Sequence, residues 1–366
     1  MNAGSHPALR TKLCSLLGID MPLVQPGMGW VADGRLTAAT SEAGGLGIIG
    51  AATMTLTELR KAIELVKSKT ARPFGVNLRS DAPDVEERVK LMIAERVPIA
   101  SFALAPGERL LKTLKDAGIF CMPSVGARRH AEKLAGWGAD AVIVQGGEAG
   151  GHTGSVATTV LLPQIVDAVD IPVIAAGGFF DGRGLVAALS YGAVGIAMGT
   201  RMLMTAESPV PAPVKAVYLQ RGVADTVVTD QIDGHPHRVL RTAFIDKLVS
   251  GSGLRDFGRA FSSAAALRRT TGISPSGLLR QAFAVRREHG YSWRQVVMAA
   301  NTPVLLRKTM IEGEVEFGII SGGQVTGLIS DVPTVAELVD RVMREATAVL
   351  QGLCSAACLD AAGARG

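Results

Sequence analysis

The chain has 366 residues, 48% of them hydrophobic and 19% charged, with a formal net charge of +5. That length suits one large domain and a smaller one, and the mean hydropathy of +0.28 comes without any apolar run of the roughly 18 residues a membrane span needs. The start at residues 1–10 has no apolar signal core, so a cytoplasmic protein is expected; basic residues are scattered and aromatics are only 4%, which argues against nucleic acid and leaves the positive balance to a small anionic ligand such as a phosphate or a CoA thioester.

In chain order, eight short apolar runs are predicted as strands: residues 23–26, 46–50, 74–77, 99–103, 119–123, 141–145, 172–176 and 195–198. Their continuous hydrophobicity suits parallel strands buried on both faces. Helical patterns fall between them at 35–42, 57–68, 84–94, 108–117, 128–137, 161–169 and 183–190. Strand then helix, repeated about eight times, is the pattern of an α/β protein built as a (β/α)8 TIM barrel. A doubly wound open sheet alternates in the same way, but it gathers its polar residues at one switch point. Here polar and glycine residues close nearly every strand, as at a barrel mouth. The repeat ends near Met204. Residues 205–300 carry many arginines and the run Pro209-Val-Pro-Ala-Pro213, and they read as a mostly helical insertion or cap. The barrel, residues 1–204, is expected to resume over 301–352, with a glycine-rich turn at 317–327 and an amphipathic helix at 334–350. Residues 353–366 read as a flexible tail.

The residues suited to chemistry gather at the strand ends. Ala175-Ala-Gly-Gly178 and Met198-Gly-Thr-Arg201 close the seventh and eighth strands, where barrels bind phosphate through loop N–H groups and a helix N-terminus. Gly178, Gly199 and Thr200 would supply backbone donors there, and Thr200 a hydroxyl. Ordinary βα turns are the plainer alternative. After the sixth strand, Glu148-Ala-Gly-Gly-His-Thr-Gly154 sets one histidine in a glycine frame. Imidazole suits proton transfer near neutral pH, so His152 is the candidate acid–base; a structural histidine is the alternative, and the loop at the active face favours catalysis. His6, His130, His235, His237 and His289 lack this setting. His235 and His237 flank Pro236, but no third ligand lies nearby, and no metal site is expected.

Gln25-Pro-Gly-Met-Gly-Trp30 follows the first strand. Gly27 permits close approach of a flat ligand, and Met28 and Trp30 offer faces to pack on it. Asn77 and Gln145 end the third and sixth strands and suit hydrogen bonds to a heterocycle edge. Ser101 and Ser124 are weaker candidates, and Cys121 reads as core. The four cysteines form no CxxC pair and read as reduced thiols. No GxGxxG follows a first strand, and neither GxSxG nor paired catalytic carboxylates stand out. A phosphate site, partners for a flat ring and a proton donor at one barrel mouth fit FMN, a cofactor that carries the redox chemistry itself.

Together, Val24-Gln-Pro-Gly-Met28, Ala43-Gly-Gly-Leu-Gly47, Pro73-Phe-Gly-Val-Asn77, Glu148-Ala-Gly-Gly-His152, Ala175-Ala-Gly-Gly178 and Met198-Gly-Thr-Arg201 resemble the nitronate monooxygenase family. That family, formerly called 2-nitropropane dioxygenase, includes FMN-dependent enoyl-ACP reductases and an NADH:quinone reductase branch. The match runs from about residue 10 to 205 and resumes at 318–327. The resemblance implies a TIM barrel with an inserted helical domain, bound FMN and a catalytic histidine at His152. It implies FMN contacts at Gly27, Met28, Asn77, Gln145, Gly150, Gly177, Gly178, Gly199 and Thr200, with Gln324 near the ring. Gly27-Met-Gly-Trp-Val31 departs from the Ala-Pro-Met-Ala form common in nitronate monooxygenases, and Ser124 stands where the quinone reductase branch has a lysine near FMN.

Three further stretches, Ala100-Ser-Phe-Ala-Leu-Ala-Pro106, Gly177-Gly-Phe-Phe-Asp-Gly-Arg-Gly184 and Met298-Ala-Ala-Asn-Thr-Pro303, resemble a bacterial branch of steroid-ring catabolism that acts on a hydroxylated hydrindane carboxyl-CoA. The activity this implies is FMN-dependent oxidoreduction of an acyl-CoA thioester with His152 as acid–base. NAD(P)H or NAD as co-substrate is left open. Oxidation of nitronates or nitroalkanes by O2, NAD(P)H:quinone reduction, and a non-redox barrel for a phosphorylated metabolite are the alternatives. Small molecules are the expected partners, no nucleic acid or membrane is expected, and a homodimer is left open.

Overall fold

Eight parallel strands close on themselves, β1 (Leu23–Gln25), β2 (Leu46–Gly50), β3 (Phe74–Leu78), β4 (Ile99–Phe102), β5 (Phe120–Val125), β6 (Val142–Gln145), β8 (Val173–Ala176) and β9 (Gly195–Ala197), while β7 (Gly151–His152) joins a separate sheet. The computed structural model describes residues 6–103, 105–250, 293–316 and 318–363. The chain divides into two units. One comprises Met1–Ala149, Gly154–Pro209 and Ile329–Gly366; the other comprises Gly150–Thr153 and Val210–Leu328.

The first unit is a TIM barrel. Val24 of β1 pairs with Leu46 of β2 on one side, and Leu23 with Ile196 of β9 on the other. An open sheet would leave one of those edges unpaired, so the doubly wound alternative is excluded. The strands are short and almost wholly buried; every residue of β2 is buried. Val24, Leu46, Ile48, Ile99, Met122, Ile143, Ile174 and Ala197 meet in one cluster, and truncating a side chain of this kind to alanine costs about 2–5 kcal/mol. Around the strands lie α1 (Lys12–Leu17), α2 (Gly34–Glu42), α3 (Leu56–Lys69), α4 (Val85–Ala94), α5 (Glu108–Asp116), α6 (Arg128–Gly136), α7 (Thr158–Val166), α8 (Gly182–Ser190) and α9 (Gly199–Leu203). Helix α3 begins at a capping box, with Thr55 Oγ1 accepting from Glu58 N at 3.2 Å and Glu58 Oε2 accepting from Thr55 N at 2.7 Å. It buries Leu59, Ala62, Ile63 and Val66, the stripe that 3.6-residue periodicity brings to one face.

The second unit holds α10 (Ala212–Leu219), β10 (Thr226–Thr229), β11 (His237–Leu240), α11 (Ala243–Ser250) and α12 (Trp293–Met310). Its sheet runs β10-β11-β7, antiparallel throughout, and sets His237 directly opposite His152. The sequence reading expects a mostly helical insertion or cap over 205–300, with few strand runs. The strands form because Val239 of β11 faces a core of Ile232, Ile245, Leu248, Leu305 and Ile319. That core also draws in residues 301–328, which the glycine-rich turn suggests for the barrel. Gly318 packs so closely on Thr309 that a Cβ there would lie 1.7 Å from the hydroxyl oxygen. The rest of the expected helical stretch, residues 251–292, lies outside the described residues.

The chain returns to the barrel unit at Ile329 and ends in α13 (Val335–Gly363). Gly182 at the start of α8 makes room for it: a Cβ there would fall 2.2 Å from Ala346 N, and Gly182 N donates to Glu345 at 2.9 Å. This helix runs to Gly363, through much of the stretch whose composition suggests a flexible tail. Alanine and leucine dominate that stretch and no proline interrupts it, so the helix extends. Among the described residues no helix is long and apolar enough to cross a membrane.

Candidate active site

The C-terminal ends of the barrel strands bring together most of the residues singled out from sequence. After β1, Gly27 rests on Asn77 at the end of β3, so closely that a Cβ on Gly27 would sit 2.1 Å from Asn77 Cβ. Gly50 closes β2 and admits the Met28 backbone, whose carbonyl oxygen would be 2.4 Å from a Cβ there. Met28 Sδ is in turn the nearest atom, at 3.6 Å, to a Cβ placed on Gly199, so the loop after β1 reaches the turn after β9. Asn77 is buried, and its Nδ2 donates to Ser101 Oγ at 3.1 Å. Ser101 is thereby the anchor that orients the Asn77 amide. Trp30 follows in the left-handed region, at φ 65°, with its N–H bonded to Thr53 Oγ1 at 3.0 Å. Its buried indole Nε1 and the Oε1 of Gln25 have no hydrogen-bond partner among the described residues. Backbone strain of this kind costs on the order of 1–3 kcal/mol and concentrates at functional sites.

At the end of β8, Gly177 and Gly178 both take positive φ, 95° and 85°. Only glycine adopts that region freely. Gly177 lies under the loop that follows β6, where a Cβ would come within 3.1 Å of Gly146 O; Gly178 is open, its nearest neighbour Glu148 Cβ at 3.8 Å. Glu148 pins this loop. Its two oxygens accept from Thr158 N at 3.1 and 3.0 Å, and Oε2 accepts from Thr158 Oγ1 at 2.7 Å, so one carboxylate ties Gln145 and the loop after it to the first turn of α7. Gly199 and Thr200 open α9, at the end where helix N–H groups face outward. Two successive turns of small residues, one with left-handed glycines and one starting a helix, fit the cradle a phosphate needs. The orphaned Gln25 and Trp30 atoms and the open space at Gly178 and Gly199 also fit a flat, polar-edged cofactor. Cys121 is core, as expected, and burial pushes its thiol up to about 12.

Gly150, His152 and Gln324 belong to the second unit. Gly150 lies on the Gly322–Gly323 backbone, with 2.5 Å between a built Cβ and Gly323 N, immediately before Gln324 opens a 3-10 turn. His152, on β7, presents a side chain 60% exposed. Its Nε2 is 2.7 Å from Asp233 Oδ2. Asp233 stands in the turn before β11, and its Oδ1 accepts from His235 N at 3.2 Å. Burial pushes the Asp233 carboxyl up, but the neighbouring His152 and His237 imidazoles outweigh it and hold the group well below the carboxylate range. His237 is buried; its Nδ1 lies 3.7 Å from the same Asp233 oxygen and has no hydrogen-bond partner among the described residues, while Nε2 is 2.9 Å from Ser321 Oγ. Burial lowers its proton affinity, against the pull of Asp233. The rings of His152 and His237 are tilted 45° with centroids 4.6 Å apart.

The sequence reading leaves His235 and His237 without a third partner. Folding gives His237 two partners and leaves His235 outside the group, since the ligating atoms of His152, Asp233 and His237 all lie within 4.8 Å of one another. A tetrahedral zinc would hold two such atoms roughly 3.3 Å apart, from bonds of about 2.0–2.1 Å. The 2.7 Å between His152 and Asp233 is instead a charge-assisted hydrogen bond. Asp233 is the one residue of the cluster that sequence reasoning passed over. Its signal was present in the run Asp233-Gly-His-Pro-His237, which concentrates ionisable groups in a turn.

Comparison with known proteins adds a relationship to this geometry. The profile of the nitronate monooxygenase family matches residues 10–345. A (3aS,4S,5R,7aS)-5-hydroxy-7a-methyl-1-oxo-octahydro-1H-indene-4-carboxyl-CoA dehydrogenase of Mycobacterium tuberculosis is 55% identical over 346 residues, covering 94% of this chain and 98% of the relative. The enzyme of the same name from Rhodococcus jostii is 53% identical over 338 residues, covering 92% and 96%. Among solved structures, FabK from Thermotoga maritima superposes with a TM-score of 0.78 at 36% identity, over 94% of this chain and 99% of that one.

Proposed function

The chain belongs to the nitronate monooxygenase family and is an oxidoreductase, and from that premise we propose that it dehydrogenates a hydroxylated bicyclic carboxyl-CoA thioester with FMN as cofactor and His152 as acid–base. The observation that carries the reading is the pairing of an exposed imidazole with a sheltered carboxylate, His152 Nε2 to Asp233 Oδ2 at 2.7 Å. A thioester carbonyl acidifies the carbon next to it, and an imidazole is the side chain suited to take that proton near neutral pH. The substrate class follows from relatives 53–55% identical along nearly the whole chain, whose names specify a hydroxylated ring carboxyl-CoA.

Gly178, Gly199 and Thr200 would hold the FMN phosphate, and Gly27, Met28, Asn77, Gln145 and Gly177 would meet its ring system and ribityl chain. Bound FMN would supply the hydride-accepting chemistry. Asn77, held by Ser101, orients a hydrogen bond toward the cofactor edge, and Glu148 keeps the Gln145 loop in place through Thr158.

The experiment is anaerobic mixing of the FMN-loaded protein with three reductant classes: such a thioester, a nitronate, and NADH followed by a quinone. Rapid bleaching of the flavin's visible absorbance by the thioester is expected, abolished in His152→Ala with flavin retained. Bleaching by the nitronate or NADH alone would replace this substrate assignment, and a protein that takes up no FMN would exclude the cofactor.

A further inference from the structure

We infer that Asp233 is the positioning residue of His152, fixing the imidazole through Nε2 and supplying the negative charge against which the ring takes up the substrate proton, while His237 keeps that charge directed at His152. The inference rests on His152 being the acid–base. Its groundwork is the way each atom of the cluster is committed. Asp233 Oδ2 receives His152, and Oδ1 is tied to the His235 backbone N–H. The turn that carries Asp233 is itself closed by Gly234, at φ 83°, whose N–H donates to Asp230 O at 2.9 Å. The carboxylate side chain is only 19% exposed behind an imidazole that is 60% exposed. A carboxylate behind an exposed imidazole orients the ring and stabilises the imidazolium formed when it accepts a proton.

His237 explains why Asp233 serves one partner. Both histidines approach the same oxygen, at 2.7 and 3.7 Å. His237 is anchored by Ser321, which Tyr218 holds in turn through its hydroxyl to Ser321 O at 2.5 Å. With Ser321 donating to Nε2, the ring proton of His237 sits on Nδ1, the nitrogen 3.7 Å from the Asp233 oxygen, so no two acceptors face each other. That neutral, buried ring walls one side of Asp233 without becoming a second cation 4.6 Å from the first. Proton balance is then local. The substrate proton moves to His152, the resulting imidazolium and the Asp233 carboxylate form a neutral pair, and the proton leaves to water.

The test compares Asp233→Asn and Asp233→Glu with His152→Ala in the full-length, FMN-loaded protein. It reads kcat and KM for the thioester, flavin content, and the His152 tautomer by 15N NMR. In Asp233→Asn, kcat is expected to fall about 100-fold or more, with KM and flavin content little changed. Asp233→Glu, which keeps the charge, is expected to recover part of the loss. In the wild type, His152 is expected to carry its proton on Nε2. Full turnover in Asp233→Asn beside an inactive His152→Ala would overturn this inference alone; full turnover in both would remove the acid–base reading beneath it. If Asp233→Asn yields no folded protein, the wild-type tautomer decides, and a bare Nε2 facing Asp233 overturns the inference. Stoichiometric zinc in the purified protein, lost on His237→Asn, would overturn it as well.

Discussion

Gly27 lies against Asn77 so closely that a Cβ on the glycine would fall 2.1 Å from the asparagine's own Cβ. The β1 loop therefore lies directly on the side chain that ends β3. Gly27→Ala must push one of them aside. Overpacking of this kind costs about 1–3 kcal/mol, and here it displaces two proposed cofactor contacts at once. A lowered thermal midpoint together with a reduced flavin content of the purified protein is expected. Wild-type flavin content would show that the loop does not touch the cofactor.

Thr158→Val isolates the part played by Glu148. The substitution keeps the shape of a residue that is 4% exposed and removes the hydroxyl 2.7 Å from Glu148 Oε2. Losing a hydrogen bond to a charged group costs about 1.5–3 kcal/mol. Chemical denaturation should register that loss. The loosened loop should also raise the FMN dissociation constant, while Thr158→Ser should stay near the wild type on both measures.

Acid sensitivity should originate in the second unit. Asp233 is held below the carboxylate range when folded, so the unfolded chain binds its proton first. Its contribution to stability is complete above about pH 4 and is lost as pH falls toward the folded value. Burial is the chief cause that holds the His237 imidazole below the usual histidine range. The unfolded histidine therefore protonates first, and stability declines as pH drops below about 6.5. Denaturation midpoints measured from about pH 7 down to about pH 5 should fall in the wild type, and His237→Asn should flatten that slope. An unchanged slope in the variant would place the acid sensitivity elsewhere.

The two glycines after β8 should separate strain from ligand binding. Both have positive φ, but a Cβ on Gly177 would press on Gly146 O at 3.1 Å, whereas one on Gly178 meets nothing closer than 3.8 Å. Gly178→Ala should cost only the left-handed strain, roughly 1–2 kcal/mol, and should weaken FMN binding by standing where a phosphate oxygen would approach. Gly177→Ala should cost more stability. If Gly178→Ala binds FMN as tightly as the wild type, that turn is not the phosphate cradle.

The barrel was readable because its strands are buried on both faces. Runs such as Leu46-Gly-Ile-Ile-Gly50 need no partner to identify them, and each predicted strand overlaps an observed one. Asn77 and Gly199 were readable for a related reason, since a polar residue or glycine that ends such a run has one place to be. The β10-β11-β7 sheet was not. Thr226-Val-Val-Thr229 is short and half exposed, and β7 is two residues long beside a glycine, too brief to show any period. Asp233 was hidden by distance along the chain, 81 residues from His152, and only the pairing of β7 with β11 closes that gap.

That pairing also bears on descent and engineering. Four residues, Gly150–Thr153, interrupt the barrel's own sequence and belong to the second unit. The insertion is therefore not a cassette with one entrance and one exit. If residues 210–328 were excised, the remaining protein would keep the short strand that carries His152 and lose β11, the strand that hydrogen-bonds it. An ancestor without the insertion would have needed another way to seat that histidine, and a barrel donated to a new design would inherit His152 without the strand that pairs with it.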